Sequence, residues 1–215
     1  MDLARLEREA AYKQQSLLMI ELDHRVKNTL ASIQALVNQT KAGASSLNDF
    51  TLGLERRISA MASAHRLLAA SRWQGATVRS LIEEELAPFQ NDKHSNLRMS
   101  GIDVLLSPAA ALSFALVVHE LTSNAAKYGA LSTPAGHISI DWHYQIDGAL
   151  ELTWKERNGP PVTPPSRRGF GSVIIERSIR YELQGRSTLR FDPDGVVCIL
   201  IIPPVHVTPL DQRKL

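Results

Sequence analysis

Apolar side chains recur in the N-terminal part of the chain at helical intervals. Leu22, Val26, Thr29, Ile33 and Val37 fall within a narrow arc at 100° per residue, whereas His24, Lys27, Asn28 and Ala31 gather roughly opposite. From about Asp2 to Thr40 there is no Gly or Pro and much Ala, Leu, Glu, Lys and Gln, which predicts an unusually long helix. Gly43 is the expected stop, and Ser45 or Ser46 the next cap. A second helix is expected from about Leu47 to Ser71, where Phe50, Leu54, Ile58, Met61, His65 and Leu68 repeat every three to four residues. Two antiparallel helices with one apolar stripe each cannot bury both faces as an isolated pair. The hairpin is therefore expected to pack on a copy of itself or on the rest of the chain.

After residue 72 the pattern changes character, which places a domain boundary there. A short helix is expected from Val78 to Ala87, ending before Pro88, then one or two short strands within residues 91–107, broken by Gly101. Pro108 opens a helix that runs to Tyr128 and is stopped by Gly129. Residues 137–144 and 150–156 alternate about the turn residues Asp147-Gly148 and read as an antiparallel hairpin. A helix from Val173 to Leu183, ended by Gly185, precedes a last hairpin of residues 186–191 and 196–202. Pro203-Pro204 closes the domain, and the tail from Val205 is expected to be loose. The result is an α+β chain: a helical domain over residues 1–72, an α/β domain over 73–205 and a tail over 206–215.

Composition narrows the class. With 215 residues and 44% hydrophobic ones, the chain is long enough for one domain or two modest ones. No apolar run approaches the roughly 20 residues needed to cross a bilayer, and the charged N-terminus has no signal-peptide core, so a cytoplasmic location is expected. A net charge of +2, with no basic cluster interleaved with aromatics, gives no argument for nucleic acid. Cys198, the only cysteine, sits in an apolar β-type run and reads as a core residue; no zinc pattern exists.

Several residues carry candidate chemistry. His24 is displayed by a helix beside Lys27 and Asn28, and it reads either as an ordinary surface residue or as an imidazole nucleophile. His65 is in phase with Ile58, Met61 and Leu68 and reads as packing rather than as a rival nucleophile. Glu120, Asn124 and Lys127 are spaced i, i+4, i+7, so a carboxylate, an amide and an ammonium share one helix face. Such a row is either a solvated face or a holder for a hydrated magnesium ion and its phosphates. His137 and His143 share strand parity but lack a third ligand, which argues against a metal there. The proline-rich, basic residues 163–168 suit a compact lid over phosphate, and Gly169-Phe170-Gly171 before a helix places glycine backbone and a helix N-terminus together.

Taken in order, these residues resemble the catalytic core of sensor histidine kinases in the HWE branch. His24-Arg25-Val26-Lys27-Asn28 is similar to the phospho-acceptor box. Glu120-x-x-x-Asn124-Ala125-x-Lys127-Tyr128 resembles the N box of the Bergerat-type (GHKL) ATP-binding fold. His119 and Trp154-Lys155-Glu156 match the histidine and Trp-x-Glu of the branch name, and Gly169-Phe170-Gly171 resembles the G2 box. Around Gly159, the G1 counterpart departs from the commoner kinase form: Pro161 replaces the second glycine and Asn158 stands where this branch often has glycine.

The resemblance implies a helical-hairpin dimerisation and phospho-acceptor domain followed by an α/β sandwich that binds ATP and Mg2+. Asn124, helped by Glu120, would hold magnesium, with Lys127 or His119 near the phosphates. Glu156 is the candidate for the adenine amino group, although a gap-free match puts Arg157 there. Trp154 would either shape the pocket wall or touch nucleotide. His24 would attack the γ-phosphoryl group, with Glu21, Asp23 or Glu120 taking its proton, and domain movement would bring the reactants into line. The phosphoryl group would then pass to an aspartate on a response-regulator receiver domain. A homodimer through the hairpin, and input from an upstream sensory domain or a separate protein, are implied as well. Two other classes stay open: a non-catalytic phosphotransfer protein with a dead nucleotide site, and a coiled-coil adaptor in which His24 is incidental.

Overall fold

A computed structural model of the chain describes residues 3–89, 96–162 and 170–210. The chain divides into two compact units, Met1–Leu54 and Glu55–Leu215. This division falls inside the second helix.

In the first unit, helix α1 spans Leu3–Gly43, as the absence of helix breakers requires. Leu36 and Thr40 are buried, and the Thr40 hydroxyl donates to the Leu36 carbonyl at 2.7 Å. The expected stripe is only partly withdrawn from water. Val26 is 54% exposed, and Tyr12, Met19 and Leu30 are likewise exposed apolar side chains. Helix α2 spans Leu47–Ala70. Ser46 is its cap, since the Asp49 amide donates to the Ser46 hydroxyl at 3.1 Å.

The second unit contains the rest of α2, where the expected stripe holds at Met61, His65 and Leu68 and fails at Ile58. The buried residues are Ala60, Met61, Ala64 and Leu68, whereas Ile58 is 41% exposed. Alanine carries the contact because its small side chain lets neighbouring elements approach, so side-chain size misreads the inward face. His65 is a packing residue, its ring meeting Trp73 edge-on at 5.3 Å between centroids.

Beyond α2 the chain forms β1 (Ala76–Thr77), α3 (Val78–Leu86), β2 (Leu97–Gly101), β3 (Val104–Leu106), α4 (Pro108–Tyr128), β4 (His137–Tyr144), β5 (Leu150–Arg157), α5 (Phe170–Arg177), β6 (Arg186–Asp192), β7 (Gly195–Ile202) and β8 (Val207–Pro209). Five strands make the main sheet in the order β2-β4-β5-β7-β6, antiparallel except for the β2–β4 pair. Period-two alternation turns Ile138, Ile140, Trp142, Leu150, Leu152, Trp154, Cys198, Leu200 and Ile202 to one face. That face packs with residues of α3, α4 and α5 in a single core, giving an α/β sandwich. Cys198 is buried, and desolvation pushes its thiol up to about 12.

Two expectations are corrected. Within the expected loose tail, Val207–Pro209 is ordered: as β8 it pairs antiparallel with β3 and completes a second sheet, β1-β3-β8. Leu210 also donates its amide to the Asp103 carbonyl at 3.1 Å. The short Val-His-Val-Thr run carries too little alternation to announce a strand. Helix α5 starts at Phe170 and passes into a π-turn over Ser178–Glu182, so Gly171 lies in the helix rather than before it. Helix α3, by contrast, ends before Pro88 as expected, and a 3-10 turn, Ala87–Phe89, follows it.

Candidate functional site

Helix α4 organises the candidate site. Ser107 caps it, accepting from the Ala110 amide at 3.4 Å, and Pro108 occupies its first turn. Its apolar residues Phe114, Val117, Val118 and Leu121 are buried in the core, which fixes where the polar row of Glu120, Asn124 and Lys127 stands. Glu120 is itself buried at 5% exposure, Asn124 is half-buried and Lys127 is exposed.

Glu120 and Asn124 meet the start of α5. A Cβ placed on Gly171 would lie 2.8 Å from Glu120 Oε2 and 3.1 Å from Asn124 Nδ2. Only glycine allows backbone so close to the carboxylate and the amide. The structure thus brings Glu120, Asn124 and Gly171 together, as the sequence implied. The other oxygen of the same carboxylate, Glu120 Oε1, accepts from Arg57 Nε of α2 at 2.6 Å. Sequence reading did not single out Arg57. It is nevertheless in phase with Ala60, Met61, Ala64 and Leu68, and a charge on a buried helical face is a signal that could have found it.

His119 is placed elsewhere. Its Nδ1 lies 3.0 Å from Glu85 Oε2 of α3, with both side chains largely covered, so it ties two helices together instead of joining the Glu120–Asn124 row. Glu85 was also missed; nothing in the local pattern of α3 marks it.

The Trp-x-Glu pair sits on β5, where residues two apart share a face. Trp154 and Glu156 both point into the core at 1% and 3% exposure. Trp154 Nε1 donates to Glu156 Oε1 at 3.2 Å, and the Ala130 amide donates to Glu156 Oε2 at 2.9 Å. Burial pushes the Glu156 carboxyl above the usual carboxylate range, while the bonds from Ala130 and Trp154 pull the other way. Gly129, at the end of α4, packs directly against this carboxylate, leaving no room for a Cβ beside Oε2. The adenine candidate therefore has both oxygens engaged by the protein, and it fastens the segment that follows α4. Gly159 stacks on the same segment, a Cβ there falling 3.0 Å from the Ala130 nitrogen.

Asn158, one residue earlier, has φ of 57°. This is the left-handed region, which asparagine tolerates better than other non-glycine residues. Arg157 points its guanidinium to Asp194 at 3.2 Å, so it is engaged on the far side of the β5 end from Glu156.

Gly169 and the basic stretch 163–168 lie outside the described residues. His24 is part of α1, but its side chain, with those of Glu21 and Asn28, is likewise outside them. Close by, Asp23 and Lys27 form an exposed ion pair at 2.6 Å. No group of three or more His, Cys, Asp or Glu able to hold a metal occurs among the described residues. No described helix is long and apolar enough to cross a membrane.

Comparison with known proteins adds to this geometry. Residues 21–103 match the family described as HWE histidine kinase. A blue-light-activated histidine kinase of Brucella anthropi is 33% identical over 200 residues, which is 92% of this chain and 41% of that protein. The counterpart from Brucella ovis is 32% identical over 206 residues, covering 94% and 42%. The chain thus spans about two fifths of the length of these curated relatives. Among solved structures, the histidine kinase domain of the Erythrobacter litoralis EL346 blue-light activated histidine kinase aligns with a TM-score of 0.55 at 13% identity, covering 83% of this chain and 95% of that one. The longer EL346 structure aligns with a TM-score of 0.60 at 16% identity over 87% and 61%. At such identities the likeness concerns the fold.

Proposed function

We propose, from the match of residues 21–103 to the HWE histidine kinases, that this chain is the kinase core of a two-component signalling protein, which phosphorylates its own His24 from MgATP. The observation that carries the reading is the meeting of Glu120 Oε2 and the Asn124 amide with the Gly171 backbone at the start of α5. Oxygen donors of this kind suit a hard divalent cation, and the helix N-terminus suits the accompanying phosphates. Asn124 and Glu120 would hold magnesium, whose chemistry there is neutralisation of phosphate charge, and Lys127 would add an ammonium at the phosphates. Gly171 supplies close backbone approach. Trp154, Glu156 and Gly159 act on the nucleotide through the Gly129–Ala130 segment that they hold in place.

His24 supplies the nucleophilic ring nitrogen. As its bond to the γ-phosphorus forms, the bond from that phosphorus to the bridging oxygen of ADP breaks, and ADP leaves. The proton on the imidazole passes to a carboxylate, with Glu21, Asp23 and Glu120 as the candidates. The phosphoryl group then moves to an aspartate of a response-regulator receiver domain, restoring His24. Sensory input reaches α1 from an upstream domain or protein. The hairpin pairs with a second copy of itself, for which the exposed Tyr12, Met19, Val26 and Leu30 supply apolar surface.

Incubation with γ-labelled ATP tests the reading. Label is expected on the wild type and absent from His24→Ala, with binding of a MgATP analogue unchanged in calorimetry. Label persisting in His24→Ala would refute the assignment. A second reading, a phosphotransfer protein with a dead nucleotide site, draws on the internal engagement of both Glu156 oxygens. It requires that the wild type bind no MgATP analogue.

A further inference from the structure

We propose that Arg57 is a positioning residue for the phosphoryl-transfer site, fixing the Glu120 carboxylate so that one oxygen faces the nucleotide space. The proposal rests on the kinase reading above. A carboxylate at 6% side-chain exposure loses its hydration and requires a compensating charge. Arg57, itself at 11% side-chain exposure, supplies it from α2 through a 2.6 Å bond from Nε to Oε1. Because Oε1 is held from the α2 side, the carboxyl rotation is set and Oε2 is turned toward Asn124 and the Gly171 backbone.

The guanidinium is suited to this task in a way an ammonium is not. Its planar, permanently charged fork fixes direction as well as charge, whereas the lysine head is a rotatable point charge. Its place on α2 is also specified: Arg57 shares the buried face of Ala60, Met61, Ala64 and Leu68, and the last two of these are anchored in the core. Arg57 is thus carried by a helix whose seating on the sandwich is set by packing.

Arg57→Met and Arg57→Lys, made in the full chain, are compared with wild type for autophosphorylation. Arg57→Met is expected to lower kcat by about tenfold or more while KM for ATP changes less than about threefold, and Arg57→Lys to recover part of the rate. A purely structural role would instead lower thermal stability and leave kcat per folded molecule unchanged. Where Arg57→Met alone fails to fold, the double variant with Glu120→Gln removes both charges and is expected to fold. Its rate should then equal that of Glu120→Gln alone, because the two residues act as one unit. An active wild type whose Arg57→Met variant keeps or exceeds its kcat, or whose Arg57 and Glu120 losses multiply independently, overturns this inference alone. A wild type that takes up no label overturns the kinase reading and this inference with it.

Discussion

Trp154 and Glu156, two apart on β5, form a miniature polar chain inside an apolar core, ending on the Ala130 amide. Two donors converge on one carboxylate, and each oxygen takes one. Glutamine at position 156 offers a single acceptor oxygen, so one donor would face an NH2 group. Glu156→Gln is therefore expected to cost about 1–3 kcal/mol at neutral pH, read from urea unfolding midpoints. The pH dependence has a definite sign. A folded-state pKa raised above the unfolded value means that the folded protein binds the proton more tightly. The contribution of Glu156 is most favourable below the ordinary carboxylate range. It falls as pH rises from that range to the raised value, and levels off above it. The stability difference between wild type and Glu156→Gln should therefore shift against wild type across that window; a flat difference would contradict the cause assigned to the shift.

Helix boundaries depend on local signals, some legible in advance and some not. Thr77 caps α3, its hydroxyl accepting from the Ser80 amide at 3.0 Å. Thr77→Ala should cost about 1 kcal/mol in thermal or urea unfolding, with nucleotide-analogue affinity unchanged, if the cap acts only on α3. Pro108 and Gly129 likewise bracket α4 as the sequence implies. Pattern alone failed where the determinant was tertiary. The inward face of α2 is set by close approach at Ala60 and Ala64, not by the larger Ile58. The strand β8 exists because β3 offers an edge to it. The site divides in the same way. Glu120, Asn124 and Gly171 were recoverable from spacing and resemblance, because helical geometry and glycine carry their meaning locally. Glu85 and the Ala130 amide were not, because each matters only through a partner distant in sequence, and Arg57 was marked only by its phase on the buried face of α2.

For the whole molecule, the exposed residues of α1 set an expectation about assembly. Tyr12, Met19 and Val26 repeat every seven residues and remain exposed, with Leu30 four residues beyond. A seven-residue apolar repeat on a long helix is the pattern of a helix pairing with another helix. Sedimentation should show a dimer for the wild type and a monomer for a Val26→Glu, Leu30→Glu double variant; unchanged sedimentation would argue against pairing through α1.

Cys198 offers a clock for the sandwich. It is the protein's only thiol, and it lies against Trp154 in the sheet register with its pKa pushed up to about 12. Reagents that attack thiolates must therefore wait for the sheet to open. The rate of labelling in native buffer counts those openings without any engineered probe. A MgATP analogue that binds the closed lobe should slow the count in proportion to its occupancy, making one silent atom a reporter of ligation.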